Sequence, residues 1–157
     1  VGYVRPKYAS MPEMDNLQIT ICACDVMLDV YGSGDTRGRM LSVFGSKNAA
    51  AIQAEVSRVW SDAAKVAFDM AVYISQGRAG NDAYRRNRLD SFYKAAQGRL
   101  NGIYALHTHS AEEAASDVLA GIYSTGAVRV ALLQFNGYDA AKVQGIVNER
   151  LSVSTKK

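Results

Sequence analysis

Arginine, glutamine and asparagine return at matched places along the 157 residues. Arg37, Arg85 and Arg129 close the stretches "YGSGDTR", "AGNDAYR" and "YSTGAVR". Gln53, Gln97 and Gln144 follow each of them. Asn101 and Asn148 stand four residues beyond Gln97 and Gln144, so on a helix they share a face. Tyr31 and Tyr123 open two of the turns, and Asp25, Asp69 and Asp117 precede the turns. A guanidinium donates to carboxylates, a primary amide donates and accepts, and a phenol ring offers a flat apolar face. Such a set holds a ligand; none of it is a reacting constellation.

Catalytic patterns are missing from the rest. The chain has no GxSxG, no HExxH and no Cys–His pair in a sensible context. "GRAGND" is no nucleotide loop, since no strand precedes it and no Gly-Lys-Ser follows. His107 and His109 lack a third ligand nearby, so no metal is expected. Glu13 and Glu112 are isolated carboxylates, not a glycosidase pair. The chain reads as non-enzymatic and without a cofactor.

Composition narrows the partners. Apolar residues make up 48% and charged residues 21%, as in a soluble globular protein. A net charge of +3 is no polybasic arm. The one cluster, "YRRNR", is not continued into a stripe, which argues against nucleic acid as a partner. No apolar run is long enough to span a membrane, and "VGYVRPKYASMPEM" lacks the apolar stretch of a signal peptide. Cys22 and Cys24 are about 200° apart on a helix, so no disulfide joins them. Cys22 falls on the apolar stripe and Cys24 on a more exposed face.

The recurrence implies an internal repeat. Asp25, Val26, Val30, Tyr31, Gly34, Arg37 and Leu41 meet Asp117, Val118, Ile122, Tyr123, Gly126, Arg129 and Leu133, and one residue drops out before Gln53 meets Gln144. A worn middle copy carries Gly80, Arg85 and Leu89, then Gln97 and Leu100. Asp25 falls on Asp69 if the middle first helix is about four residues longer. Each copy reads as three short helices. Ala114, Val118 and Ile122 form one stripe, and Val143, Val147 and Leu151 another. Ser110 with Glu113 predicts a capping box starting a helix near Ala111; Asp139 and Ser61 are further N-cap candidates. No proline follows Pro12, which favours helix. The expected fold is all-α: three tandem small three-helix-bundle repeats at 17–60, 61–109 (divergent) and 110–153. A leader of unknown role (1–16) and a tail (154–157) flank them. Units of this size are marginal alone, and the short joints predict packed neighbours.

Residues 117 to 148 carry the pattern best, in "DVLAGIYSTGAVRVALL" and "YDAAKVQGIVN". The pattern resembles the choline-independent cell-wall-binding repeats of phage lysozymes and other endolysins, three-helix modules that bind muropeptides. The resemblance implies bacterial peptidoglycan fragments as partner. It implies a ligand set of Asp25, Tyr31, Arg37, Gln53, Arg85, Gln97, Asn101, Asp117, Tyr123, Arg129, Gln144 and Asn148. A sugar–peptide ligand asks for just these types: a ring to stack on, amides for acetamido groups and a cation for carboxylates. Two roles stay open for the Arg and Asp of each copy, an interhelical ion pair or ligand contact. Two stay open for the Tyr as well, core lid or stacking platform. The copies also depart from the pattern: the last loses one glycine in "YSTG", the middle reads "AGND", and Ser57 replaces the Asn in the first. The implied location is extracellular, wall-associated or in a virion. The competing reading is a phage virion assembly protein, using the helices for contacts with other phage proteins or with itself.

A zymogram tests the non-enzymatic reading. The purified chain should leave a peptidoglycan gel uncleared, and clearing would overturn it.

Overall fold

The computed structural model describes residues 12–155, and all their regular structure is helical. The first eleven residues of the leader and the last two of the tail lie outside the described ones. In chain order the helices are α1 (Asn16–Met27), α2 (Gly34–Leu41), α3 (Ser46–Trp60), α4 (Ala63–Ser75), α5 (Asp82–Leu89), α6 (Tyr93–Tyr104), α7 (Ala111–Leu119), α8 (Gly126–Phe135) and α9 (Ala140–Thr155). Short 3₁₀ turns cover Ser42–Phe44, Asp90–Phe92 and Ala105–Thr108.

Local chemistry sets the helix starts. Asp15 caps α1 in a reciprocal box with Gln18, and Ser110 caps α7 in the expected box with Glu113. Asp139 accepts from the Lys142 amide ahead of α9, as its position predicts. Ser61 is not a cap. Asp62 takes that role for α4, accepting from the Ala64 and Lys65 amides, because Ser61 ends α3. Asn48 reaches back to the end of the leader, donating to the Pro12 carbonyl and accepting from the Met14 amide.

The main packing pairs are α1 with α3, α4 with α6, and α7 with α9. Further contacts cross between them: α1 lies on α4 and α8, and α4 on α8. The apolar clusters interlock accordingly. One contains Cys22, Val26, Leu41 and Ile52. The next, around Met70, Tyr73, Leu89 and Leu100, takes in Cys24 and Val59. The last, around Tyr123, Leu132, Leu133 and Val143, takes in Val72 and Ile103. Residues 69–74 of α4 are buried without a break, which makes α4 the central helix. Cys24 departs from its expected exposure. It is fully buried, because the side of α1 away from its own stripe packs on α4. Leu151 departs the other way and is exposed.

One polar tie crosses from α1 to α8. Thr125 stands at the N-cap of α8 without a side-chain cap bond, and Asn16 supplies it from the far end of the chain. Its Nδ2 donates to the Thr125 carbonyl at 2.7 Å and its Oδ1 accepts from the Val128 amide at 3.1 Å. Gly126 makes room, since a Cβ there would stand 3.1 Å from Asn16 Oδ1, and its φ is +56°. Replacing Asn16 by Ala should cost roughly 1 kcal/mol, the usual loss of an N-cap. Urea denaturation measures it; an unchanged midpoint would mean that water caps α8 equally well.

Candidate functional site

The site grows from the turn between first and second helix. α1, α4 and α7 all end in a Schellman motif, with the amides of Val30, Arg78 and Ile122 donating back to the carbonyls of Asp25, Tyr73 and Asp117. The left-handed residues in these motifs are Asp29, Gly77 and Gly121. This geometry corrects one alignment: Asp25 corresponds to Tyr73, not to Asp69, which lies one turn earlier on α4.

Two more left-handed residues follow in every turn. The first is Gly32, Gly80 or Ser124, with φ of +69°, +69° and +60°. The second is Gly34, Asp82 or Gly126, with φ of +55°, +52° and +56°. The glycines missing from "AGND" and "YSTG" therefore do not change the turn. Asp82 and Ser124 hold the same backbone at a steric cost of about 1–2 kcal/mol each. The turn aims a carbonyl at the arginine five residues on. Arg37 Nε donates to the Gly32 carbonyl at 3.1 Å, Arg85 Nε to Gly80 at 3.0 Å, and Arg129 Nε to Ser124 at 3.0 Å.

From there a relay runs to the third helix. Arg85 Nη1 donates to Gln97 Oε1 at 2.8 Å, and Gln97 Nε2 to Asn101 Oδ1 at 2.9 Å. Arg129 Nη1 donates to Gln144 Oε1 at 3.0 Å, and Gln144 Nε2 to Asn148 Oδ1 at 2.9 Å. The arginines and glutamines are half-buried and the asparagines exposed. Arg37 and Gln53 make no such bond, and Ser57 stands where the relay would end. Beside the last relay is a groove of about 450 Å³. Arg129 and Gln144 form one side of it, and Val130, Leu133, Tyr138 and Ala140 contribute to the rest.

Other expected site residues sit elsewhere. Tyr123 is fully buried and its hydroxyl accepts from Asn136, so it is the core lid and not a platform. Tyr31 is half-buried, edge-on to Phe44 at 6.2 Å, and burial pushes its hydroxyl up to about 12. The aspartates do not orient the arginines. Asp25 accepts from the Tyr73 hydroxyl at 2.6 Å and lies 3.7 Å from Arg88, and Asp117 lies 2.8 Å from His109. Of the two roles left open for Arg37, Arg85 and Arg129, the ion pair with the Asp of the same copy is not formed among the described residues, because each arginine is turned toward its own loop carbonyl. Sequence reasoning missed Tyr138, whose single hydroxyl proton is shared between the Leu106 and His109 carbonyls, which fixes the approach to α9. Its signal was the "YD" that opens "YDAAKVQGIVN". It also missed Asn16, which carries no signal because its partner is more than a hundred residues away.

Asp69 has a different environment. It is 2% exposed, beside Glu55, with Arg58 at 3.8 Å. Burial, a hydrogen bond with Glu55 and the Glu55 charge push its carboxyl up to about 8, against the pull of Arg58.

Residues 112–151 match the family model of the CW_7 repeat, a cell-wall-binding repeat family. The CW_7 match spans nearly all of α7, the whole of α8 and most of α9, and so includes Arg129, Gln144 and Asn148. It points to cell-wall binding in general. No curated protein and no solved structure matches the chain. Among the described residues no cluster of His, Cys, Asp and Glu is arranged to hold a metal ion, and no helix is long and apolar enough to cross a membrane.

The Asp69 carboxyl gives a pH dependence of known sign. Between about pH 4 and pH 8 the unfolded chain has lost this proton and the folded chain keeps it. Stability is therefore fullest at the acid end and falls as pH rises, by up to about 1.4 kcal/mol per pH unit, levelling off above 8. Thermal melts from pH 5 to 8 should show the fall, and Asp69→Asn should flatten it. An unchanged slope in the variant would assign the effect to another group.

Proposed function

We propose that this chain binds peptidoglycan without cleaving it, as three tandem three-helix units related to the CW_7 repeat. The supporting observation is the direction of the relay. A guanidinium only donates, so the glutamine must turn its oxygen to the arginine and its amide nitrogen to the asparagine oxygen. The asparagine NH₂ and the remaining arginine N–H groups are then the unpaired ends. They are all donors, suited to the carbonyl and carboxylate oxygens of N-acetylated sugars and peptide stems. The apolar side of the groove, where Val130 is exposed, suits the face of a sugar ring. Muropeptides are the ligand class proposed for the units at 61–109 and 110–153. The unit at 17–60 lacks the relay and is assigned no ligand.

A soluble disaccharide-dipeptide followed by NMR shifts tests the site. Arg129→Ala removes charge-assisted contacts and should weaken binding about ten- to hundredfold at that unit. Asn148→Ala, at an exposed position, should weaken it less and leave the melting temperature unchanged. Ser57→Ala should do nothing. Normal binding by a destabilised Arg129→Ala protein would make the arginine a loop clamp and no more. Failure of the wild-type chain to sediment with purified sacculi would end the wall-binding reading.

A further inference from the structure

Seven residues after its glutamine, each copy carries a large apolar side chain: Trp60 after Gln53, Tyr104 after Gln97 and Leu151 after Gln144. Seven residues fall about 20° short of two helical turns, so each side chain lies on the face of its glutamine. All three are exposed, by 58%, 49% and 51%. A single exposed apolar residue needs no explanation, but the same position exposed in three copies does.

The two aromatic ones share more than exposure. Trp60 is the last residue of α3 and Tyr104 the last of α6. Each meets an aromatic ring of the following copy: Trp60 meets Phe92 at 6.3 Å and 60°, and Tyr104 meets Phe135 at 5.8 Å and 66°. Each joint between copies thus carries an aromatic pair. A ring that only glued the copies together would be buried between them, and these are not.

The first joint also has room. Trp60 and Phe92 line a groove of about 480 Å³, with Val66 and Ala67 as apolar surface and the hydroxyls of Ser61 and Ser91 beside them. No charged residue lines this groove. Among the described residues the Trp60 indole N–H and the two serine hydroxyls make no hydrogen bond. At the second joint His107 stacks on Tyr104 at 4.2 Å and 9°, so one face of that ring is taken.

We propose that the aromatic pair at each joint is a stacking platform for an uncharged sugar ring, with Trp60 and Phe92 forming the stronger one. The C–H face of a pyranose is apolar and electropositive, and the face of an indole is negative. Ring hydroxyls and acetamido groups then reach Ser61, Ser91 and the indole N–H. A carboxylate or phosphate would find no cation in this groove. The proposal rests on the wall-binding reading only for the source of the sugar, the glycan strand of peptidoglycan. It adds a site between the copies, apart from the relays within them.

The chain has a single tryptophan, so its fluorescence reports on this site alone. The test is a titration of the intact chain with tri-N-acetylchitotriose, which has neither charge nor peptide. Trp60 emission should shift saturably, and in a ¹⁵N-labelled chain the amides of Ser61, Ser91 and Phe92 should move with it. The Phe135 amide should follow at higher sugar concentration. Read by those amides, Trp60→Ala should weaken binding at least about tenfold. Trp60→Leu should lose as much, and Trp60→Tyr should keep most of it. The exposed position predicts an unchanged melting temperature in all three. An unmoved Trp60 emission, shifts confined to Gln144 and Asn148, or full binding by Trp60→Leu would overturn the proposal. So would an emission that changes with protein concentration but not with sugar, which would make the pair a contact between copies of the chain. Should Trp60 respond while the chain fails to sediment with sacculi, the platform stands and the wall-binding reading falls. Sedimentation with a silent Trp60 would mean the reverse.

Discussion

A guanidinium has only donors, and that fact orders everything on the exposed side of the last two segments. It needs an acceptor from its own turn, and the turn supplies one because a left-handed residue five positions earlier points its carbonyl at Nε. In these two segments the guanidinium held at Nε extends toward the third helix, whereas Arg37, held in the same way, does not bond Gln53. A glutamine there must present oxygen, and its amide nitrogen then fixes the asparagine one turn on. Three side chains on two helices and a loop are thus fixed by one another. A lysine would fail at the first step, since a single ammonium cannot hold the carbonyl and the glutamine in a fixed fork.

The turn behind the arginine keeps its shape through sequence change, and the reason is local. Gly32, Gly80 and Ser124 share one backbone conformation, although only two are glycine. Ser124 is held in place by two donors of Arg129, Nε at 3.0 Å and Nη2 at 2.8 Å, whereas Gly32 and Gly80 each take one. The extra bond offsets part of the steric cost of a side chain at positive φ. Asp82 belongs to the small polar residues that tolerate this region better than most. Glycine count is thus a poor guide to whether the turn survives, and the arginine is a better one.

These features account for what could be read from the residues alone. Helix positions were legible because the apolar spacing is local and the caps at Ser110 and Asp139 are three-residue signals. The Arg–Gln–Asn set was legible as a recurrence. Its connectivity was not, since the choice between Asp25 or Asp117 and a loop carbonyl as the arginine's partner depends on backbone φ. Cys24 was misplaced because a stripe describes one face of a helix, and α1 is covered on more than one. The register of α4 was misjudged for a related reason. Asp69 is acidic like Asp25, but residue type is weaker evidence of equivalence than the Schellman bond, which puts Tyr73 there.

The first segment has no Arg–Gln–Asn relay, yet it is tied to both of its neighbours. α1 carries two ties to other segments: Asn16 caps α8, and Asp25 takes the Tyr73 hydroxyl and faces Arg88. Its consecutive residues Cys22, Ala23 and Cys24 are all buried, which is possible only for a helix covered from several sides. Sites that are packed on one another keep fixed spacings, and fixed spacings decide whether two weak contacts on a polymer reinforce each other or exclude each other. A segment that holds its neighbours in register therefore fixes the spacing of the two relays.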